Sequence, residues 1–172
     1  PQSTFDAVSL EFDFVPLGDS IEFRYVFSSE EYPEWICQSY NDVFAFFISG
    51  PGIVGTQNIA RVPGTNIPVA INSINGGTSA DPNGLCAGMG PGSPFTQYYV
   101  TNTSNYFTHD GHTVVLTAAA KVIPCQTYHL KLAIADAGDE ALDSGVFLEA
   151  GSLKSNSVEI SSELPTFNGF PY

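Results

Sequence analysis

The chain has 172 residues, of which 43% are hydrophobic and 13% aromatic, so it can bury the core of one domain. Five basic residues against 18 acidic ones give a formal net charge of −13, which disfavours nucleic acid and anionic lipid and favours cations as partners. No apolar run approaches the ~20 residues of a membrane-spanning helix, so we expect no membrane span.

The N-terminal third alternates apolar and polar residues with a period of two, which is typical of β-strands. Two such stretches, 8–15 and 20–27, each carry one apolar face, formed by Val8, Leu10, Phe12 and Phe14 and by Ile21, Phe23, Tyr25 and Phe27. The continuous apolar run over 43–49 predicts a strand covered on both faces.

The rest of the chain repeats this pattern in short pieces separated by Gly, Pro and Asn turn signals. Strands are predicted at 58–62, 69–74, 97–102, 113–122, 127–135, 145–153 and 157–161. About ten short strands without a helical stripe indicate an all-β fold, an antiparallel β-sandwich or jelly roll. We expect one sandwich domain over 1–155 and a C-terminal edge strand or linker over 156–172. The Gly- and Pro-rich stretch 75–96 predicts a long loop that is functional or mobile.

Acidic residues gather in two turn regions. One contains Glu30, Glu31 and Asp42, and the other, "IADAGDEALDSG", contains Asp136 and Asp143 together with Asp139 and Glu140. Loops at one end of a sandwich converge, and several oxygen ligands from separate loops are what Ca²⁺ uses. We therefore expect a Ca²⁺ site formed by Glu30, Glu31, Asp42, Asp136 and Asp143. The alternative is that acidic turn residues are solvated or shape their own turns.

Aromatic and amide side chains near predicted loops indicate a second kind of site. Trp35, Tyr40, Asn41, Tyr98 and Tyr99 lie in loops or at strand ends, where they suit the rings and hydroxyls of a carbohydrate. The alternative is packing at the rim of the core.

Three cysteines are present, so one remains outside any intrachain pair. Cys37 and Cys86 both lie in loop-like surroundings, and we expect them to form the disulfide if the compartment is oxidising. Cys125 precedes a predicted strand, and we expect it to be a small buried residue.

Several long stretches, among them "FRYVFSSEEYPEWICQSYNDVFAFFISGPG" and "TVVLTAAAKVIPCQTYHLKLAIADAGDEALDSGVFLEAGS", resemble the choice-of-anchor L domain. That family occurs in large secreted and surface-attached bacterial proteins, many from Bacteroidetes. The resemblance implies an extracellular or cell-surface module that is part of a larger multidomain protein, and the start at Pro1 favours a piece of a longer chain. It also implies a role for Glu30, Glu31, Asp42, Asp136 and Asp143, in metal binding or in loop architecture.

These observations favour a non-enzymatic, Ca²⁺-stabilised module for adhesion or cell-surface assembly, with a glycan or a surface protein as its ligand. The first alternative is a lectin-like carbohydrate-binding module. The second is a glycoside hydrolase that uses a Glu/Asp pair such as Glu31 and Asp42.

Overall fold

The fold is given by a computed structural model. It describes residues 4–78, 80–104, 107–138 and 141–156, together with the backbone of 166–167 and 170–171. The strand expected at 157–161 lies outside the described residues. No helix in the described part of the chain is long and apolar enough to span a membrane.

The first sheet is antiparallel and has four strands in the order β1-β8-β3-β4. Its members are β1 (Thr4–Phe14), β8 (Tyr128–Ala137), β3 (Val43–Ser49) and β4 (Gln57–Asn58). The long strand β8 pairs with β1 on one side and with β3 on the other. This leaves β1 at an edge of the sheet.

The second sheet has six strands arranged around β2. Its members are β2 (Ser20–Ser29), β5 (Tyr99–Thr101), β6 (Gly111–Thr113), β7 (Leu116–Lys121), β9 (Ser144–Leu148) and β10 (Lys154–Ser155). One edge of β2 pairs with β7 and β6, and the other pairs with β9 and β10. A separate two-stranded sheet joins β11 (Thr166–Phe167) to β12 (Phe170–Pro171). Two antiparallel sheets of four and six strands confirm the predicted all-β sandwich.

The core lies between β2 and β3, because alternate side chains of each strand point at the other sheet. Tyr25 contacts Phe44 and Phe46 edge to face, with ring centroids 5.5 and 4.9 Å apart. Phe27 stacks on Phe44 at 4.9 Å. The apolar face predicted for 20–27 is therefore correct, since Ile21, Phe23, Tyr25 and Phe27 are all buried.

The apolar face of β1 is only partly covered. Phe12 and Phe14 pack against the core, but Val8 is 63% and Leu10 is 56% exposed. Both residues border an apolar cleft between β1 and β9, on the side of β1 where the described residues supply no pairing strand.

Two shorter stretches also differ from the expected strands. Residues 69–74 were expected to be a strand, but they form turns with a single bridge between Val43 and Ala70. Of the strand expected at 58–62, only Asn58 belongs to β4, and Arg61 forms an isolated bridge with Pro68. Cys125 was expected to be buried, and this was wrong. It is free and exposed because it lies in the turn before β8, where its N–H donates to the Pro16 carbonyl at 2.8 Å.

Candidate functional site

The ends of several strands meet at one pole of the sandwich. Ser29, the last residue of β2, pairs with Gly111 at the start of β6 and with Ser144 at the start of β9. Ala137 ends β8 at the same pole, since its N–H reaches the loop that precedes β3. Both acidic turn regions therefore converge, as expected for loops at one end of a sandwich.

Glu30 and Asp143 join the two acidic regions directly. The Glu30 N–H donates to the Asp143 carbonyl at 3.0 Å, and the Asp143 N–H donates to the Glu30 carboxylate at 3.3 Å. This reciprocal pair ties the loop after β2 to the loop before β9. Both interactions involve backbone groups, so they fix the path of the two loops.

Asp42 connects the same loops from inside the molecule. One carboxylate oxygen accepts a hydrogen bond from the Ala137 N–H at 2.9 Å, and the other accepts one from the Ser144 hydroxyl at 2.7 Å. Asp42 is only 1% exposed. A buried carboxylate needs such donors because desolvation of an unbonded charge is very costly.

Glu31 and Asp136 are buried as well, at 2% and 7% exposure. The Glu31 N–H donates to the Ser29 hydroxyl, and Asp136 stands opposite Phe5 in the first sheet. Among the described residues, no group of three or more His, Cys, Asp and Glu side chains is arranged to hold a metal ion. Asp139 and Glu140 lie outside the described residues.

The basic residues are directed to other parts of the surface. Arg24 pairs with Glu149, Lys121 with Asp19, Lys131 with Glu11, and Lys154 with Glu22. Arg61 donates to the Asn66 side chain at 2.8 Å. At the pole, backbone N–H groups and a hydroxyl donate to the Asp42 and Glu30 carboxylates.

The loop over residues 30–42, named here the clamped loop, is held by a covalent bond and a buried amide. Cys37 and Cys86 form a disulfide with their Cα atoms 4.7 Å apart, as the sequence predicted. The Asn72 side chain accepts from the Cys37 N–H at 2.7 Å and donates to the Gln38 carbonyl at 2.8 Å. The Asn41 side chain in turn accepts from the Asn72 N–H at 2.8 Å. The loop conformation is therefore fixed before any ligand arrives.

Tyr32 anchors the start of the clamped loop in the core. Its hydroxyl donates to the Ile74 carbonyl at 2.6 Å. Burial raises the pKa of Tyr32 well above its usual value, and Tyr99 and the Asp42 carboxylate raise it further. The side chain is therefore a neutral hydrogen-bond donor at any ordinary pH.

Trp35 and Tyr40 form an aromatic pair on the clamped loop. Their rings meet edge to face with centroids 5.2 Å apart, and Trp35 is 39% exposed. A cleft of about 330 Å³ is bordered by Gln38 and Asn41 of the same loop, and more of its surface is apolar than polar. A second cleft, of about 410 Å³, is bordered by Gln38 and Asn83 and has polar and apolar surface in similar amounts. Neither aromatic ring lines these clefts, so the clamped loop carries an exposed aromatic pair and, separately, borders two clefts of mixed polarity.

Tyr98 and Tyr99 are placed differently from the other aromatic candidates. Both pack against the core, and the Tyr99 ring lies 5.0 Å from Tyr32. Gly111 makes room for this ring, since a Cβ atom there would lie 2.7 Å from a Tyr99 ring carbon. The structure therefore pairs Trp35 with Tyr40 on the clamped loop, directs the Asn41 side chain to Asn72, and places Tyr98 and Tyr99 at the core rim.

Sequence reasoning missed two residues that organise this pole, Asn72 and Ser144. The signal for Asn72 was present, because "NSIN" interrupts an apolar run with polar residues that prove to be buried. Ser144 carries no comparable signal, since a serine beside glycine in a turn is ordinary.

The family model for the choice-of-anchor L domain matches residues 1–154. The chain belongs to this family. No curated protein and no solved structure matches it. For a choice-of-anchor L domain, the family indicates a surface-associated module, and the Cys37–Cys86 disulfide agrees with an oxidising compartment outside the cytosol.

Proposed function

We propose that this choice-of-anchor L domain is a non-catalytic adhesive module of a larger surface-associated protein, and that it contacts its ligand through the clamped loop. The supporting observation is the exposed Trp35 held against Tyr40 on a loop fixed by the Cys37–Cys86 disulfide. A rigid aromatic anchor binds with little loss of conformational entropy. Exposed tryptophan and tyrosine are also the side chains that most often dominate binding energy at recognition surfaces.

Carbohydrate is the ligand class that best suits this surface. The C–H face of a sugar ring packs on an aromatic ring, while its hydroxyls need polar groups close by. Gln38, Ser39 and Asn41 of the clamped loop supply such groups along the cleft of about 330 Å³. A net charge of −13 favours neutral or cationic glycans over sulfated ones, because like charges repel.

The adhesion proposal is tested on an array of bacterial and host glycans with the full chain. We expect saturable binding that is lost in Trp35→Ala and retained in Phe147→Ala, which removes another exposed aromatic from β9. Equal binding by Trp35→Ala and Phe147→Ala would show that the ligand does not bind at the clamped loop. Absence of binding to any glycan, with capture of a surface protein instead, would reject carbohydrate as the ligand class.

Calcium stabilisation of the pole is part of the same proposal. Glu30, Asp42 and Asp143 meet there in a chain with a net charge of −13. Ca²⁺ bound only by the folded state would raise the melting temperature by mass action. Identical melting curves in excess Ca²⁺ and in chelator would show that Ca²⁺ does not stabilise the folded chain.

Burial of the acidic pair supports a non-catalytic role over glycoside hydrolysis. Glu31 and Asp42 are buried, with 2% and 1% of each residue exposed. A glycosidase needs both carboxyl groups to flank the scissile bond of a bound polysaccharide. A substrate panel on which the wild type releases sugar, and Asp42→Asn does not, would overturn the non-catalytic assignment.

A further inference from the structure

The end of the sandwich opposite the clamped loop presents apolar side chains to solvent. Strand β3 starts next to the clamped loop and ends here, and we name this end the apolar pole. It is formed by three segments: 15–18 after β1, 50–55 after β3, and 122–126 before β8. Its apolar side chains are exposed by roughly half or more: Val15 by 54%, Leu17 by 77%, Val54 by 99% and Ile123 by 47%. Exposed apolar residues that cluster in this way mark a contact surface, whereas scattered single ones do not.

Hydrogen bonds join the three segments into one surface. The Cys125 N–H donates to the Pro16 carbonyl at 2.8 Å. The hydroxyl of the buried Tyr128 donates to the Pro51 carbonyl at 2.6 Å and accepts from the Ile123 N–H at 2.7 Å. The exposed apolar side chains therefore lie on neighbouring loops of one pole.

The three segments of the apolar pole are also uncharged. None of them contains Asp, Glu, Lys, Arg or His, although the whole chain has 18 acidic residues. At the border of the pole, the Lys121 ammonium lies 3.8 Å from the Asp19 carboxylate, and both side chains are exposed. An uncharged apolar tip with an opposite-charge pair at its border suits a zwitterionic lipid surface, where apolar groups enter the acyl region and charges stay at headgroup level.

The backbone of the apolar pole suits an apolar medium as well. There, an N–H or carbonyl group without a hydrogen-bond partner is costly. Pro16, Pro51 and Pro124 have no N–H to leave unpaired, and the carbonyls of the first two accept the hydrogen bonds described above. The Ile53 N–H, at the base of Val54, donates to the Gly50 carbonyl at 3.1 Å.

We propose that the apolar pole inserts into the interfacial region of a zwitterionic lipid surface and holds the module there, with the clamped loop directed away from the lipid. This contact buries the side chains of Leu17, Val54 and Ile123 among the acyl chains. The net charge of −13 restricts it to surfaces of low negative charge. The inference is independent of the ligand proposed for the clamped loop.

A second copy of the chain is the poorer occupant of the apolar pole. A stable interface between proteins takes roughly 20–30 residues on each side, and the pole offers four exposed apolar side chains. Two molecules that each carry a charge of −13 also repel one another.

Flotation of the full chain with phosphatidylcholine vesicles in a density gradient tests the proposal. We expect the wild type to float with the vesicles. In Val54→Asp the partition coefficient should fall at least about tenfold, because a charge replaces an apolar side chain that the lipid buries. The matched control, Val115→Asp, puts the same charge at a valine that is 53% exposed between β6 and β7, outside the three segments. It should float like the wild type.

Tryptophan emission shows which end of the molecule meets the lipid. In Val54→Trp combined with Trp35→Phe, the new indole is the single tryptophan, and brominated phosphatidylcholine should quench it. In the wild type the single tryptophan is Trp35 on the clamped loop, and the same vesicles should leave its emission unchanged.

Several results would overturn the proposal. Wild-type chain that stays behind when the vesicles float would show that lipid does not bind. Equal flotation of Val54→Asp and Val115→Asp, or loss of flotation in Trp35→Ala, would place the lipid contact elsewhere. Binding that increases when phosphatidylserine is added would reject a zwitterionic surface as the partner. A dimer in sedimentation that Val54→Asp abolishes, without vesicle binding, would show that a second copy covers the pole.

Discussion

The Asp42 carboxylate accepts a hydrogen bond from the Ser144 hydroxyl at 2.7 Å, across 102 residues of sequence. Its other oxygen accepts from the Ala137 N–H at the end of β8. A single buried side chain therefore ties the end of the clamped loop to the two strands that flank the second acidic region. This relationship gives Asp42 a structural role, whether or not an ion also binds at the pole.

Asp42→Ala is expected to lower the free energy of unfolding by about 2–3 kcal/mol, because it removes the acceptor of the buried Ala137 N–H and of the half-buried Ser144 hydroxyl. Ser144→Ala removes only one donor and should cost about 1 kcal/mol. Asp42→Asn keeps an oxygen that can accept from the Ala137 N–H, so its loss of stability should lie between those of Asp42→Ala and Ser144→Ala. Urea unfolding of the three variants checks this order. Equal costs for Asp42→Ala and Ser144→Ala would show that the Ala137 contact contributes little.

Loss of the Cys37–Cys86 disulfide should destabilise the domain and loosen the clamped loop. The bond closes a loop with a sequence separation of 49 residues, for which chain entropy gives a stabilisation of up to about 4 kcal/mol. The double variant Cys37→Ala/Cys86→Ala should therefore melt at a lower temperature. It should also expose the clamped loop to limited proteolysis. Cys125→Ala serves as the control, since this thiol is free and exposed, and it should melt like the wild type.

Two buried tyrosines should respond in opposite ways to loss of the hydroxyl. Tyr128 donates to the Pro51 carbonyl at 2.6 Å and accepts from the Ile123 N–H at 2.7 Å, so Tyr128→Phe should cost about 1–2 kcal/mol. The Tyr25 hydroxyl is buried without a hydrogen-bond partner among the described residues. Tyr25→Phe should therefore leave the free energy of unfolding unchanged or raise it. Thermal unfolding of both variants measures the difference, and a destabilised Tyr25→Phe would reveal a partner for that hydroxyl.

Charged residues across β1 and β8 should make stability depend on pH. The hydrogen bond to Asp13 raises the pKa of His129 above its ordinary 6.5, so its contribution is complete below pH 6.5 and is lost as pH rises through the raised value. The hydrogen bond from Lys131 lowers the pKa of Glu11 below its ordinary 4.5, so that contribution is complete above pH 4.5 and is lost on acidification.

The stabilising contributions of His129 and Glu11 are therefore both complete only between pH 4.5 and pH 6.5. The difference in melting temperature between the wild type and His129→Gln should be present at mildly acidic pH and should vanish in alkaline buffer. The difference for Glu11→Gln should instead persist at alkaline pH and vanish in acid. A His129→Gln difference that is constant with pH would contradict the assigned contact with Asp13.

The inward-facing residues of β2 were predictable one by one, because the opposing sheet buries the whole apolar face of this strand. The same alternation predicted the strand β1, but it does not reveal that Val8 and Leu10 are exposed, since periodicity does not show where a sheet ends. Residues 69–74 also look like a strand. They form turns because Ser73 and Asn75 satisfy backbone groups of that segment from inside, as at the Pro68 and Ile71 carbonyls.

The site was predictable in its location more than in its chemistry. Loop surroundings correctly indicated the Cys37–Cys86 pair, and the convergence of Glu30 with Asp143 followed from sandwich geometry. The hydroxyl partner of Asp42 could not be found from the sequence. No periodic pattern links Asp42 with a serine 102 residues away. Such a pairing depends on tertiary structure alone.

The central claim is that ligand binds at the clamped loop, and the most direct measurement is the fluorescence of Trp35 during a titration with oligosaccharide. Trp35 is the single tryptophan of the chain, so its emission reports this surface alone. We expect a saturable change in emission that matches the binding isotherm measured by calorimetry, and a weaker affinity in Tyr40→Ala. Heat of binding with no change in Trp35 emission would contradict the account, because the ligand would then lie elsewhere on the domain.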